Sequence, residues 1–299
     1  MLVRMIVAAV VSALMITGAH SQDGARAYHL LPENTNIISL TGTFVHTEID
    51  AGVFDAGVIT PSYRRSIDVL GNAGWILIGM PVGSLSASLN TPVGSIDLDT
   101  APAQGDLFLG GAIGLYGSPS LSPQEYAQHD PGLRASVAAR LYLPTGDYDS
   151  NSVLNLGGNR WSLQASLPIS YVLADTMIDD DLTTFEIVPS VHIFGDNDDA
   201  FGLATVTSQD PVFGLEGHIT RNFSRTVWAS LDGSYELGGE TSADSIANEN
   251  AEESLSFGAT LGLTFNPSLS VRLSYEEMVY SNQPNSASRS FRATSAFRF

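Results

Sequence analysis

The sequence has no cysteine and no lysine, and its 13 basic residues are all arginine. Without cysteine the chain cannot form a disulfide, a thiolate nucleophile or a Cys-ligated zinc site. Without lysine it cannot carry a P-loop, a Schiff base or a Ser-Lys pair, because each of these needs an ammonium group that arginine does not replace. No motif for a cofactor is present, and none is expected.

The 299-residue chain also lacks a run of about eighteen apolar residues, which excludes an α-helical membrane protein. The formal net charge of −19 argues against nucleic acid as a partner, because its phosphates would be repelled. Such an acidic excess is typical of solvated loops.

The N-terminus has the features of a secretory signal peptide. Arg4 is followed by an apolar run over residues 5–16, and small residues suited to cleavage lie at 19–21 and at 25–27. We predict a signal peptide over 1–27, with cleavage after Ala27 favoured over cleavage after Ser21. The mature chain, 28–299, is then one exported domain.

Residues 132–172 show the pattern that dominates the rest of the chain. From Leu133 to Leu143 the odd positions are apolar and the even positions are mostly polar or small, and a second alternating row runs from Trp161 to Tyr171. Alternation with period two gives a strand one apolar and one polar face. Two such strands of about ten residues, ending in aromatic rings, have the dimensions of a transmembrane β-hairpin.

The same pattern predicts about twelve strands along the chain. They are 36–48, 58–70, 73–82, 106–116, 133–143, 161–171, 183–194, 212–221, 226–237, 254–265, 269–280 and 290–299. Short turns alternate with long acidic loops at 83–105, 144–158, 195–211 and 238–253. The fold class expected is all-β: an antiparallel transmembrane β-barrel with short periplasmic turns and longer acidic extracellular loops, located in the bacterial outer membrane. A soluble sandwich or lipocalin-like barrel is the alternative.

Three local features qualify this prediction. Pro61 breaks the ladder pattern, so a bulge is expected there, and Pro168 and Pro189 conflict with strands six and seven. Ser122 is positioned to cap a short helix that begins at Pro123.

Several segments carry a family resemblance: LYLPTGDYD (141–149), NLGGNRWSLQASLPISYVL (155–173), FGDN (194–197), SQDP (208–211) and GGET (238–241). In this order they resemble the outer-membrane proteins grouped under the meta-pathway of phenol degradation, often labelled transporters. The resemblance implies a single barrel in outer-membrane lipid that passes small aromatic or apolar compounds. The C-terminal Phe299, with Phe297 and Phe291, resembles the signal read by the outer-membrane assembly machinery.

Strand parity predicts which charged side chains face the lumen. The basic set is Arg64, Arg134, Arg140, Arg160, Arg272, Arg292 and Arg298, and the set on strands seven to nine is Glu186, His192, Glu216, His218, Asp232 and Glu236. Because the two signs lie on different arcs, they could create a transverse field that selects a permeant. The alternative, which we favour, is that these charges pair and fill a narrow lumen.

Other candidate sites are weaker. His192 and His218 with Glu186 and Glu216 could be drawn as a metal site, but lumenal hydrogen bonding is favoured, and no metal is assigned. Aspartates at 179–181 and 195–199 lack the spacing of a calcium loop. Trp75, Tyr116, Tyr142, Trp161, Tyr171, Phe185, Phe265, Tyr275 and Tyr280 are read as interfacial girdles, while Tyr142, Phe194 and Trp228 could instead contact an apolar permeant.

The function expected is passive passage of small aromatic or apolar compounds, with a small molecule as permeant and no catalysis. One alternative is an outer-membrane enzyme such as a lipase or lipid-modifying barrel, which needs a serine activated by a histidine on the lipid-facing wall. No G-x-S-x-G stretch is present. Another alternative is a structural or adhesive barrel whose loops bind partners.

Overall fold

A closed antiparallel barrel of twelve wall strands is seen in the computed structural model, which describes residues 23–91 and 94–299. The predicted signal sequence up to residue 22 lies outside the described residues. Closure comes from β1 pairing with β19, with Ile37 opposite Arg298 and Glu48 opposite Ala287. Main-chain bonds between Asn36 and Phe299, each 3.0 Å, complete the seam. A closed ladder satisfies every wall strand without leaving an edge.

The strands follow the chain in an up-and-down order. They are β1 (Asn36–Ile49), β2 (Gly52–Val69), β3 (Asn72–Gly79), β4 (Val82–Thr91), β5 (Gly94–Asp99), β6 (Ala103–Gln104), β7 (Phe108–Tyr116), β8 (Leu133–Tyr142), β9 (Ser162–Ser166), β10 (Ile169–Leu173), β11 (Thr183–Phe194), β12 (Thr207–Gln209), β13 (Val212–Asn222), β14 (Val227–Gly238), β15 (Thr241–Ala243), β16 (Ile246–Ala247), β17 (Glu252–Asn266), β18 (Leu269–Ser281) and β19 (Ala287–Arg298). Three wall strands are interrupted: β3–β4, β5–β7 and β9–β10. β12, β15 and β16 form a separate small sheet in the extracellular loops.

The wall is apolar outside and polar inside, as a bilayer requires. Outward rows include Phe213, Leu231 and Phe257, which are 57%, 69% and 56% exposed. Thr184 and Thr220 on the inward face are each 1% exposed. This burial pattern is the reverse of that of a soluble protein, and it confirms the predicted membrane barrel.

The predicted strands are correct in type, and most end within about three residues of the observed bounds. Two expectations were wrong. β2 starts at Gly52, so Asp55 lies in a strand, and residues 83–105 are mostly strands β4, β5 and β6 rather than a loop. These segments extend the wall above the bilayer and pack against the loop that follows β8. Their shared apolar cluster includes Val45, Phe54, Leu85 and Leu154.

Each proline inside a strand lies opposite a break in the neighbouring strand. Pro61 stays in register opposite Leu40, so the predicted bulge is absent from β2, and the break falls on the neighbouring strand at Met80–Pro81. Pro189 likewise stays within β11, while the adjacent strand breaks at 167–168. Each in-strand proline still accepts a bond through its carbonyl, from Met80 N at 3.2 Å and from Leu167 N at 2.9 Å. Each break therefore lies opposite the one residue that has no N–H to donate.

Within the described residues, the only helix is α1 (Pro123–Gln128), and no helix has the length and apolar character to cross a bilayer. Ser122 caps α1 as predicted, with Glu125 completing a capping box.

Candidate functional site in the barrel lumen

The residues before β1 enter the lumen. This N-terminal segment (residues 23–31) packs Tyr28 against Ala138 and Val188 of the inner wall, and its hydroxyl lies 3.1 Å from Ser166 Oγ. Ala25 and Leu30 are buried as well. Residues 23–31 show no strand or helix periodicity, and the segment lies in the lumen as irregular chain.

Wall arginines hold one side of the N-terminal segment. The contacts are Arg272 Nη1 to Ala25 O (2.7 Å), Arg64 Nη1 to Ala27 O (2.8 Å), Arg134 Nη2 to Tyr28 O (3.1 Å) and an ion pair between Arg140 and the Asp23 carboxylate. Charged donors to backbone carbonyls and a partly buried ion pair are stronger than neutral hydrogen bonds. The segment is thus fixed by backbone atoms and by one carboxylate.

The other side of the N-terminal segment faces the acidic arc. Gly24 N donates to Glu216 Oε2 at 3.4 Å. Arg26 Nε donates to Thr220 Oγ1 at 3.0 Å, Arg26 Nη2 donates to Asn222 Oδ1 at 2.8 Å, and its guanidinium lies over Trp228. The segment therefore lies between the two predicted arcs and contacts both of them.

The acidic arc (Glu186, Glu216, His218 and Asp232) makes most of its hydrogen bonds within the barrel wall. His218 lies between two carboxylates, with Nδ1 2.8 Å from Asp232 Oδ1 and Nε2 3.4 Å from Glu216 Oε2. Asp232 also accepts from Ser230 Oγ at 2.5 Å and from Thr260 Oγ1 at 2.6 Å. Glu186 is 6% exposed, and neither of its carboxylate oxygens has a hydrogen-bond partner.

A cavity of about 1160 Å³ occupies the rest of the lumen. It is bordered by loop residues above the barrel, such as Val153 and Leu156, and by the turn at Asn266 and Ser268 at the opposite rim. Its arginines are Arg26, Arg64, Arg140, Arg160, Arg225, Arg272, Arg292 and Arg298, against Asp23, Asp106 and Asp179 as acids. The cavity wall is therefore cationic in a strongly acidic protein.

The structure separates the predicted lumen residues into two groups. Arg64, Arg140, Arg160, His192, Arg272 and Arg292 border the cavity, as does Arg298. Arg134, Glu186, Glu216, His218, Asp232 and Glu236 are not among the residues that border it. The N-terminal segment contacts Glu216 through Gly24 N, and a transverse field that selects a permeant stays a prediction. Charge pairing, the alternative, occurs both through that segment, where Arg140 pairs with Asp23, and within the wall, where His218 lies between Glu216 and Asp232.

Arginine lies over an aromatic ring at four places in the lumen. The pairs are Arg26 over Trp228 (4.3 Å), Arg64 over Trp75 (4.5 Å), Arg140 over Phe108 (5.3 Å) and Arg160 over Phe194 (4.7 Å). All eight side chains border the cavity. Trp75, predicted as a girdle residue, borders the lumenal cavity instead. Tyr142, Phe194 and Trp228 also border it, as the alternative expectation for these three residues had it. The other predicted girdle residues are exposed on the outer wall.

A ring cluster forms at the extracellular end of the cavity, from Phe108, Tyr142, His192 and Phe194. Successive ring centroids are 5.7, 5.6 and 4.2 Å apart. His192 Nε2 lies 3.0 Å from Ser162 Oγ, and its buried Nδ1 has no partner. The ring cluster and residues of the apolar loop cluster border the same cavity, together with Arg160 and polar residues such as Asn155 and Asn197.

Two glycines make room for lumenal rings. A Cβ at Gly262 would meet Trp228 Cε2 at 1.9 Å, and a Cβ at Gly79 would meet Phe108 Cζ at 2.4 Å. Each glycine faces its aromatic residue across the strand pair. An inward-facing glycine opposite an aromatic residue on the next strand could have identified these lumenal rings from the sequence. The alternation within one strand does not show it, because it does not compare neighbouring strands.

The histidines do not form the metal site that could be drawn from the sequence. His218 pairs with Glu186 near the lower end of β11, whereas His192 pairs with Val212 near its upper end. Across 23–91 and 94–299, no three His, Asp or Glu side chains are grouped as a metal site would need. His46 was not singled out in the sequence analysis. It faces outward on β1, and its ring nitrogens contact the carboxylates of Asp55 and Glu48.

The closed barrel, its apolar outer belt and its polar lumen define a bacterial outer-membrane β-barrel protein. A family model described as the MetA-pathway of phenol degradation matches residues 34–293. The chain belongs to this family, which confirms the resemblance found in its sequence.

Two solved structures share the fold. An outer-membrane channel of Pseudomonas putida F1 has 18% identity and a TM-score of 0.74, over 92% of this chain and 99% of that chain. The translocator domain of the autotransporter NalP from Neisseria meningitidis has 9% identity and a TM-score of 0.56, over 97% and 98%. No curated protein matches the sequence.

Proposed function

We propose that this protein is a passive outer-membrane channel for small aromatic or apolar compounds. The observation that supports it most directly is a cavity of about 1160 Å³ bordered by residues from both rims of the barrel. A barrel filled by its own side chains, as in a purely structural protein, would not leave that volume.

The lining supports the class of permeant. Val45, Leu85, Val153 and Leu156 border the upper cavity, and the ring cluster lies below them. Apolar and aromatic walls with a few polar groups are typical of sites for small organic molecules. Transport would follow the concentration gradient, since the chain carries no nucleotide-binding motif.

The enzyme alternative has less support. The outward His46 is the candidate base for a lipid-facing site, but carboxylates occupy both of its ring nitrogens, at 2.7 and 3.1 Å. It is not positioned to activate a serine. The adhesive alternative predicts neither current nor uptake.

The test is conductance of the refolded protein in a planar bilayer, together with uptake of benzyl alcohol and of glucose into vesicles. Discrete current steps and faster uptake of benzyl alcohol than of glucose are expected, since the ring cluster and the apolar loop residues offer contacts to a ring that a sugar does not use. A bilayer without current and vesicles without protein-dependent uptake would refute the channel.

A further inference from the structure

Residues 23–27 lie inside the barrel, and each of them is bound there. Asp23 contributes the carboxylate that pairs with Arg140, and Ala25 is 0% exposed. The other contacts come from Gly24 N, the Arg26 side chain and the carbonyls of Ala25 and Ala27, and their wall partners are Glu216, Thr220, Asn222, Arg272 and Arg64. All five residues belong to the leader if it is removed after Ala27, the site that the sequence pattern favours.

Cleavage after Ala27 would break every one of these contacts. Arg272 Nη1 and Arg64 Nη1 would lose the carbonyls that they contact at 2.7 and 2.8 Å, and Arg140 would lose the carboxylate of Asp23. Removing one partner of a buried charged pair is strongly unfavourable, because the remaining charge is neither compensated nor solvated as it is in water. The arginines of the wall therefore fit a chain that retains residues 23–27.

The same cleavage would also create a positive charge beside two arginines. The new α-ammonium group would be the nitrogen of Tyr28, whose own carbonyl accepts from Arg134 Nη2 at 3.1 Å. In the intact chain this nitrogen is bonded to the Ala27 carbonyl group, which accepts from Arg64. Like charges at such short range repel, and the lumen screens them less than bulk water does.

A chain that starts just before Asp23 has its ammonium group near acids instead. Gly24 N lies 3.4 Å from Glu216 Oε2, and consecutive Cα atoms are about 3.8 Å apart, so a terminus one residue before Asp23 is within reach of the acidic arc. Glu186, on the strand paired with that of Glu216, is 6% exposed, and its carboxylate oxygens have no hydrogen-bond partner among residues 23–91 and 94–299. A cation there is favourable, because buried carboxylates need a counter-charge.

We propose that the leader is removed at the small-residue site 19–21, directly before Gln22, and that residues 23–27 remain in the lumen of the mature protein. Both candidate sites carry small residues at the two positions that signal cleavage requires. The site at 19–21 follows the apolar run at 5–16 more closely. The choice between them is made by the partners of residues 23–27, and it holds whether or not the barrel conducts.

The mass of the intact protein purified from outer membranes identifies its first residue. A chain of residues 22–299 is expected, less one ammonia if the terminal glutamine has cyclised. Trypsin cuts after arginine, so the unfolded protein should give the peptides 22–26 and 27–64, whereas a chain cut after Ala27 would begin with 28–64. A mature chain whose first residue lies after Asp23, or one that keeps its leader, would overturn the proposal.

Matched substitutions at the last residue of each candidate site test which one is used. Ser21→Leu should slow removal of the leader, because a large side chain replaces the small one that cleavage requires, and Ala27→Leu should leave the rate unchanged. Ala27 packs against the inner wall, so processing is measured on the unfolded precursor in detergent with signal peptidase, where folding does not enter. The reverse pattern, with only Ala27→Leu slowed, would overturn the proposal.

Protection from trypsin tests whether the retained residues stay bound. Arg26 is the only arginine between residue 22 and Arg64. Its guanidinium donates to Thr220 and Asn222 and lies over Trp228. The folded barrel should therefore keep residues 22–26 under conditions in which the heat-unfolded protein loses them. Equal loss from folded and unfolded protein would overturn their place in the lumen of the mature protein.

Discussion

The outward row of β14 tests how deeply the barrel lies in the membrane. Leu231 is 69% exposed near the middle of this 12-residue strand, and Leu237 is 45% exposed on the same face near its extracellular end. Arginine at either position keeps the strand pairing and places a charge on the lipid-facing wall. Leu231→Arg and Leu237→Arg are therefore the same substitution on the same face of one strand, at two depths.

The expected magnitudes follow from strand geometry. Six residues at about 3.3 Å each separate the two positions by roughly 20 Å along the strand. At a tilt of about 40° this is roughly 15 Å of depth, more than half of an apolar band about 25 Å tall. An arginine at the midplane destabilises a barrel by about 2–4 kcal/mol, and one at the interface by about 0–1 kcal/mol. The difference, about 2–3 kcal/mol, changes the folding equilibrium constant by roughly 30-fold or more.

Reversible guanidinium unfolding in vesicles, followed by the fluorescence of the 3 tryptophans, measures both free energies. Leu231→Arg should shift the midpoint to clearly lower denaturant, while Leu237→Arg should shift it little. Equal losses at the two positions would show that Leu231 does not lie near the bilayer centre, and the assigned membrane position would be wrong.

Two further predictions concern local structure. Gly262→Ala should displace the Trp228 ring and change its fluorescence, because the added Cβ would meet the ring at 1.9 Å, whereas Gly217→Ala, with its nearest neighbour at 4.0 Å, should not; an unchanged spectrum in both would refute the packing. The pKa of Asp179 is lowered by hydrogen bonds from the Thr176 hydroxyl and neighbouring backbone N–H groups. Its folded pKa lies below the unfolded value of about 3.9, so its contribution to the 174–182 loop is present above that value and lost as the pH falls through the folded pKa. Hydrogen exchange, normalised for intrinsic rate, should show the loop opening below about pH 4, and identical protection at pH 2.5 and pH 5 would contradict this.

The membrane-crossing strands could be predicted because the bilayer requires the apolar residues of every strand to face outward. β4 shows why prediction stopped at the membrane surface. Its alternation is clear, but Leu85, Ala87 and Leu89 point inward and the intervening serines point outward. Above the bilayer the outer face meets water, so the apolar face turns toward the loop that follows β8. Because the apolar residues of β4 face inward, a search for strands with an apolar lipid-facing side does not identify it.

The sequence predicted which side chains face the lumen, but it did not predict what those side chains contact. Parity placed Arg64, Arg140 and Arg272 on the inner wall, but their partners are the N-terminal segment, and two of the three bind its backbone carbonyls. Backbone acceptors have no sequence signature, because every residue carries one. The segment also had no periodicity, and part of it was assigned to the signal peptide.

The N-terminal segment explains how an acidic barrel can present a cationic lumen. Without it, Glu216 would face the same space as the arginines of β18 and β19, and the two signs would largely cancel along the path of a permeant. Two unit charges about 4 Å apart interact by about 4 kcal/mol at an effective dielectric of 20, so a permeant anion would meet repulsion from the acids comparable to its attraction to arginine. With the segment in place, Gly24 donates to Glu216 and His218 lies between Glu216 and Asp232, and neither carboxylate borders the cavity. The charge that a permeant meets would then depend on where the segment lies as much as on the arginines themselves.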